Sequence, residues 1–253
     1  MYRGLKVGVV VPARDEERNI GPVVRDLLAL ADPAGGRMID DFVVCDNGSD
    51  DETALRAQEA GARVVRQDRP GYGIACLTAL AALAPVDVVL FTDGDGSFVA
   101  AQAERLLAGI AGGADLVIGS RVHGRAEPGA LSLPQVAGNR VAALLIRLLW
   151  GQRISDLGPY RAIRAESLRR IAMEDRAYGW TVEMQIKAIQ HRLRVVETPV
   201  DTRRRRYGRS KVGGTVRGVA GASAGILRKI ARLWIEQKFH ILRTGRKKEA
   251  GRP

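Results

Sequence analysis

DVVLFTDGDGSF, residues 87–98, decides how the rest of this chain is read. Four apolar residues, Val88 to Phe91, run straight into two carboxylates one position apart, Asp93 and Asp95, with glycines at 94 and 96. A short β-branched and aromatic run closed by turn residues predicts a strand buried on both faces. In open parallel sheets, ligands bind beyond the carboxyl ends of such strands. Two carboxylates there, on a backbone loosened by glycine, suit a hard divalent cation that also takes phosphate oxygens. Alone, the stretch is equally an Asp-Gly turn in solvent. Its neighbours decide.

Upstream the arrangement recurs. Val7–Val11 predicts a first strand stopped at Pro12, and Ile20, Val23, Val24, Leu27 and Leu28 then follow a helical period. Asp15, Glu16 and Glu17 fall near the first turn of that helix, where the macrodipole favours acids. Asp15 and Glu16 also stand at the strand's end, which makes them the better candidates for a ligand. Phe42–Cys45 predicts the second strand, and DNGSDDET (46–53) follows it. Ser49 and Glu52 stand at capping-box spacing, so Asp50, Asp51 and Glu52 open a helix over 50–60. Asp46 precedes the cap and is left to accept hydrogen bonds from a base or ribose. Val64–Val65 predicts a third strand, and Gly71 and Gly73 precede another helix, as a phosphate-receiving N-terminus or a plain tight turn.

Downstream, a helix over 98–111 turns Leu106, Leu107 and Ile110 inward, and Leu116–Ile118 predicts a strand leading into Gly119-Ser120-Arg121. At least four apolar runs thus alternate with helices and end in small or acidic residues. The pattern predicts a doubly wound α/β sheet with a polar rim. The turn PARDEE (12–17) lacks the glycine fingerprint of a dinucleotide-binding domain, and no Walker A sequence occurs. Past residue 121 comes a loop-like stretch, then a helix over Asn139–Trp150 with Arg140 and Arg147 a heptad apart on an otherwise apolar cylinder. That helix either packs in the core or offers a face to lipid. Asp156 and Arg161 follow, then a helix from Glu166. Glu183 lies on a further helix among apolar residues, where an acid is costly unless paired or used. Residues 195–201 are strand-like.

At 253 residues and 46% apolar composition, the chain has room for one large α/β domain or one domain with an appendage. Its formal charge of +12 is unevenly placed: Arg203–Pro253 holds 16 Lys and Arg against 2 acids, leaving 24 basic and 26 acidic residues before it. Four arginines at 203–206, with Arg209, Ser210 and Lys211, make either a solvated face or a clamp on a diphosphate. From Thr215 to about Leu242 the sequence is helical and amphipathic, with Ile226, Leu227, Ile230, Leu233, Trp234 and Phe239 against Arg228, Lys229, Arg232 and Lys238. Such a helix lies on a membrane surface, or docks on this chain or on a second copy of it. Two cysteines, Cys45 and Cys76, offer no disulfide framework, which suits a reducing compartment. The N-terminal apolar run is too short for a signal peptide, and no apolar stretch reaches the length of a transmembrane helix.

Taken in order, these motifs resemble the family 2 inverting glycosyltransferases of GT-A fold, in particular the polyprenyl- or dolichyl-phosphate sugar synthases. The motifs are Val11-Pro12-Ala13-Arg14-Asp15-Glu16 with Asn19; Asp46-Asn47-Gly48-Ser49 with Asp51 and Thr53; Asp93-Gly94-Asp95; Gly119-Ser120-Arg121; Asp156 with Gly158, Tyr160 and Arg161; and Arg206 through Lys211. The resemblance implies a Rossmann-like GT-A catalytic domain over 1–214 with a mostly parallel sheet flanked by helices, and a basic amphipathic helical tail over 215–253. It implies that Pro12, Ala13, Arg14, Glu16 and Asp46 hold the nucleotide of a nucleotide-diphosphate sugar, beside Gly71, Asp93 and Gly94. Asp93 and Asp95 would carry Mg2+ or Mn2+, with Asp95 the more direct ligand. Arg206 and Lys211 would stabilise the leaving diphosphate, with Arg209 and Ser210 adding phosphate contacts.

On the acceptor side, Arg121, Arg140 and Arg161 would position a lipid phosphate, which needs no general base. A hydroxyl acceptor would need one, and Asp156 and Glu183 are the candidates. Arg14-Asp15 replaces the family's commoner Tyr-Asn, and the C-terminal transmembrane segments of many relatives are absent from this sequence. The tail would then do any anchoring, placing the protein in the cytoplasm or at the cytoplasmic face of a membrane, with the tail helix also able to join two copies. The runner-up is transfer to a hydroxyl of a soluble acceptor. A sugar nucleotidyltransferase expects a glycine-rich Thr-Arg step after the first strand, which PARDEE is not. A nucleic-acid-binding module fits poorly, since aromatic residues are only 5% and the positive charge is confined to the tail.

Overall fold

The structure, a computed structural model, describes residues 1–208 and 216–249. Seven strands form one sheet: β1 (Val7–Ala13), β2 (Asp41–Asp46), β3 (Arg63–Arg66), β4 (Val88–Phe91), β5 (Leu116–Ser120), β6 (Arg161–Arg164) and β7 (Val195–Pro199). Their order is β3-β2-β1-β4-β6-β5-β7. All pairings are parallel except those of β6, which runs against both β4 and β5. The chain works outward from β1 to β3 and then returns to β4 on the other side of β1. Such a reversal opens a crevice between the carboxyl ends of β1 and β4. Val10 is in register with Phe91, so residues 12–16 and 92–95 emerge side by side there.

The helices are α1 (Glu17–Leu28), α2 (Thr53–Glu59), α3 (Tyr72–Ala82), α4 (Ala103–Ala111), α5 (Leu133–Trp150), α6 (Ala165–Ile171), α7 (Trp180–Gln190) and α8 (Val216–Glu249). They cover both faces of the sheet, which is why β1 and β4 read as unbroken apolar runs. Val7, Val9 and Val11 share a core with Ile20, Val24 and Leu27 of α1 and Leu106, Leu107 and Ile110 of α4. Val10, Val43, Val89 and Phe91 face the other way, onto Ala75, Cys76 and Ala79 of α3 and Trp180 and Met184 of α7. A third cluster, with Ala142, Ile146, Val182, Ile186, Ile230 and Leu233, binds α5, α7 and α8 together.

Local chemistry sets the departures from the sequence expectations. The helix expected over 50–60 spans only Thr53–Glu59, and its N-cap, Glu52, makes no side-chain cap bond. The Ser49–Glu52 capping box does not form because Ser49 Oγ accepts instead from the Asp15 amide, tying the end of β2 to the end of β1. Segment 98–111 begins with a 3-10 turn, Ala100–Gln102, before α4. Helix α5 starts at Leu133 rather than Asn139, where Ser132 and Gln135 form a reciprocal capping box, and it ends at Gly151 with φ 73°. Strand β6, RAIR, has only two apolar residues between arginines and carries no strand signal in the sequence. The amphipathic segment expected from Thr215 is α8, seated on α5 and α7 through Ile230 and Leu233.

Candidate active site

A cleft of about 1090 Å3 lies over the carboxyl ends of β1, β2 and β4. Pro12, Ala13, Arg14 and Glu16 border it on the β1 side; Asn47, Pro70, Gly71 and Tyr72 on the β2 side; Asp93, Gly94 and Asp95 in the middle; and Arg121 beyond them. The segment Arg203–Gly208 crosses the opening as a strap, with Arg206 facing both this cleft and a second hollow beside α1. The strap is clasped to α1: the Arg18 guanidinium stacks 3.8 Å from the Tyr207 ring centroid, and Asn19 Nδ2 donates to the Tyr207 carbonyl.

The β1 turn is built from neighbouring side chains. Asp15 takes the left-handed conformation (φ 50°), and its carboxylate accepts from the Asp50 amide, while the Glu16 amide donates to Thr53 Oγ1. Asp46, expected to meet a base or ribose, is instead buried. It accepts from the Ser49 amide and pairs with Arg66 at 3.4 Å, holding the turn. Its neighbour Asn47 faces the cleft, accepting from the Gly71 amide and donating to the Gln67 and Arg69 carbonyls. Gly71 and Gly73 permit a close approach: a Cβ at either would lie 2.3 or 2.1 Å from the carbonyl oxygen of Arg176 or Asp175.

Asp93 and Asp95 form the acidic floor. Tyr72 donates its hydroxyl to Asp93 Oδ1 at 3.0 Å. Arg205 bridges Asp95 Oδ2 (3.1 Å) and Glu16 Oε1 (2.9 Å). Burial, then the charge of Asp95, push the Asp93 carboxyl up to about 7 against the pull of Tyr72, Arg121 and Arg205. Burial likewise raises Glu16, against Asn19 and Arg205. A carboxylate this reluctant to ionise beside a second one fits a divalent cation, whose charge would reverse the penalty. Among the described residues, no three or more His, Cys, Asp and Glu lie close enough together to hold a metal ion by themselves.

The raised Asp93 carboxyl predicts a pH-dependent stability. The unfolded aspartate loses its proton near pH 4, whereas the folded one keeps it to about 7. The metal-free fold therefore loses stability from this group as pH rises through that window. Asp93→Asn should flatten the slope and melt higher than the wild type at pH about 8, in thermal melts without metal.

The remaining expected residues divide. Arg121 borders the cleft and grips the buried Asp156 through its amide and Nε (both 2.8 Å) and through Nη2 (2.6 Å). Burial lowers the Arg121 pKa, but the bond and charge of Asp156 outweigh it, so the group ends above its ordinary value. Arg161 is fully buried and donates to the carbonyls of Leu157, Gly158 and Thr181. Its donors are thus committed inside the fold, which removes it as an acceptor ligand. Glu183 is also fully buried, accepting from the amides of Glu174 and Asp175 and pairing with Lys187 and Lys229, and it does not border the cleft. Arg140 is exposed on α5, away from the cleft lining. Arg209, Ser210 and Lys211 lie outside the described residues. Tyr72 and Tyr178 border the cleft with no sequence signal pointing to them, while Asn47 and Arg205 lay within expected motifs without a role of their own.

This architecture is that of a GT-A glycosyltransferase. A glucosyl-3-phosphoglycerate synthase of Mycobacterium tuberculosis, solved with Mn2+, UDP and glucosyl-3-phosphoglycerate, is similar with a TM-score of 0.69 and 25% identity, over 91% of this chain and 80% of that one. Residues 8–172 match the model of Glycosyl transferase family 2, and the chain belongs to that family. An uncharacterised glycosyltransferase of M. tuberculosis is 38% identical over 85% of this chain and 93% of its own length. A dolichyl-phosphate hexose transferase of Haloferax volcanii is 32% identical over 93% of this chain and 96% of its own length.

Proposed function

We propose that the protein is a divalent-cation-dependent inverting glycosyltransferase that moves a sugar from a nucleotide-diphosphate sugar to a polyprenyl- or dolichyl-phosphate-type lipid at a membrane surface. One observation carries the choice of acceptor. The two carboxylates expected as general bases, Asp156 and Glu183, are both held in buried ion pairs outside the cleft lining, and those that border the cleft, Glu16, Asp93 and Asp95, are taken up by Arg205 and the proposed cation. A phosphate oxygen is already ionised and needs neither. It attacks the anomeric carbon as the bond to the diphosphate breaks, and that electron pair leaves on the diphosphate.

Pro12, Ala13, Arg14, Glu16, Asn47, Gly71 and Gly94 would form the nucleotide wall. Mg2+ or Mn2+, held by Asp93 and Asp95, would supply Lewis-acid stabilisation of the departing charge. The strap arginines, Arg206 above all, add positive charge beside the same position. Arg121, oriented by Asp156, would meet the acceptor phosphate.

The lipid reading is supported by exposed apolar surface. One face of α5 presents Leu133 (86% exposed), Val141, Leu144 and Leu148 (70%), with Arg140 and Arg147 beside them. Helix α8 exposes Leu227, Trp234, Ile235 and Phe239. Gly138 faces Ser223 and Trp150 Nε1 donates to Gln237, so the two helices run side by side in the same direction. Ser132 and Gln135, at the start of α5, border the cleft. A lipid lying along these helices would reach the cleft head first, with arginines at headgroup level. No helix among the described residues is long and apolar enough to cross a membrane, so attachment would be peripheral.

The test is transfer from a panel of UDP- and GDP-sugars, with and without Mn2+, to polyprenyl phosphate in anionic vesicles or to 3-phosphoglycerate. Metal-dependent label in the lipid fraction is expected. Transfer to 3-phosphoglycerate alone would establish the second reading, a soluble hydroxyl acceptor, which the likeness to the synthase favours. No transfer and no donor binding by a folded protein would end both.

A further inference from the structure

The described cations of α8 are not alike. Arg228, Arg232 and Lys238 are exposed, whereas Lys229 is only 8% exposed. A buried ammonium is costly unless paired, and Lys229 has two partners: Asp175 at 3.0 Å and Glu183 at 3.4 Å. Neither anion is isolated. Glu183 Oε2 accepts from the Glu174 and Asp175 amides, and Asp175 Oδ1 accepts from the Ala177 amide. One ammonium on α8 thus bridges the two carboxylates that shape the loop between α6 and α7, with Lys187 supplying the second charge at Glu183.

The outer edge of that loop belongs to the cleft. The Arg176 and Ala177 carbonyls accept from the Ile74 and Gly73 amides, the first turn of α3. Ala177 and Tyr178 border the cleft beside Gly71 and Tyr72, and Tyr72 donates to Asp93. A continuous chain of polar contacts therefore runs from α8, through the 174–177 loop and the start of α3, to the acidic floor. Gly73 leaves no slack in it, since the Asp175 carbonyl lies where a Cβ would be.

We propose that Lys229 is a positioning residue through which α8 sets the nucleotide-side wall of the cleft. The α8 helix is then part of the donor site's construction as well as a surface element. This rests on the nucleotide-sugar reading above. Without Lys229, Asp175 loses its ammonium and Glu183 keeps only Lys187, so the loop carries an uncompensated charge and relaxes away from Gly73.

The test compares wild type, Lys229→Met and Lys229→Arg, with Lys229→Gln replacing the methionine variant if that fails to fold. Donor KM should rise about tenfold in Lys229→Met with kcat within about twofold of wild type, and arginine should restore most of the loss. Hydrogen exchange without any nucleotide should show the Gly73 and Ile74 amides opening about tenfold faster in Lys229→Met. A lower melting temperature with unchanged donor KM and unchanged exchange at these amides would overturn the proposal and leave Lys229 as mere packing. Failure of the wild type to bind any nucleotide would count against the function instead, and exchange alone would then decide for or against Lys229.

Discussion

Asp95→Ala lowers transfer by about a thousandfold, roughly 4 kcal/mol of transition-state stabilisation, and leaves the protein folded. Both halves of that expectation come from the surroundings of the side chain. Asp95 sits at the rim of the acidic floor, where it accepts from the Ser97 amide and pairs with Arg205. Losing it costs one turn contact and half of an arginine bridge, because Arg205 keeps Glu16. The damage would fall on the proposed cation, left with Asp93 alone while charge builds on the leaving diphosphate. Single-turnover rates at saturating donor, measured across a Mn2+ titration, check it. Chelation of metal from the wild type should reproduce the loss. Turnover near the wild-type level in the variant would refute a metal role for this pair.

Asp156→Ala is expected to destabilise the fold by about 3–5 kcal/mol, because it leaves a largely buried guanidinium without its anion. Asp156 is 1% exposed and accepts three bonds from Arg121. For a chain of this size the melting temperature should fall by roughly 10 °C. Asp156→Asn keeps the shape and loses the charge, so it separates two roles. A general base would lose kcat in the asparagine variant with the melting temperature almost unchanged. An anchor for Arg121 would lose stability in both variants, with the alanine change the worse. Thermal melts beside initial rates distinguish them, and the second pattern is expected.

Much of this was legible in the sequence. The strands β1, β2, β4 and β5 announce themselves because helices cover both faces of the sheet and every position can be apolar. Acids at strand ends also mark the rim. What could not be read is which loop residue turns inward, since loops have no period. Asp46 and Asn47 are adjacent, yet the first is spent on the turn and the second faces the cleft. The strap is similar: four successive arginines look alike, and only Arg205 is seen to bridge Glu16 and Asp95. Arg161 made β6 unreadable as a buried strand, because the carbonyls that satisfy it come from Leu157, Gly158 and Thr181. The capping box at Ser49 failed for a related reason: a distant amide claimed the hydroxyl. The start of α5 was readable, since Ser132 and Gln135 stand at capping-box spacing.

The reversed strand β6 has a consequence for how such a protein diversifies. A parallel strand would have to be entered from the far edge of the sheet, but β6 is entered from the same edge at which β5 ends. The chain from Arg121 to Tyr160, α5 included, is therefore a closed excursion that departs from one rim and returns to it. Its middle can be lengthened or shortened without moving a strand, whereas its return end is fixed to the segment after β4, where Tyr160 donates to the Ala100 carbonyl and packs on Phe98. One set of turns after β1, β2 and β4 can then stand beside excursions of different length and composition.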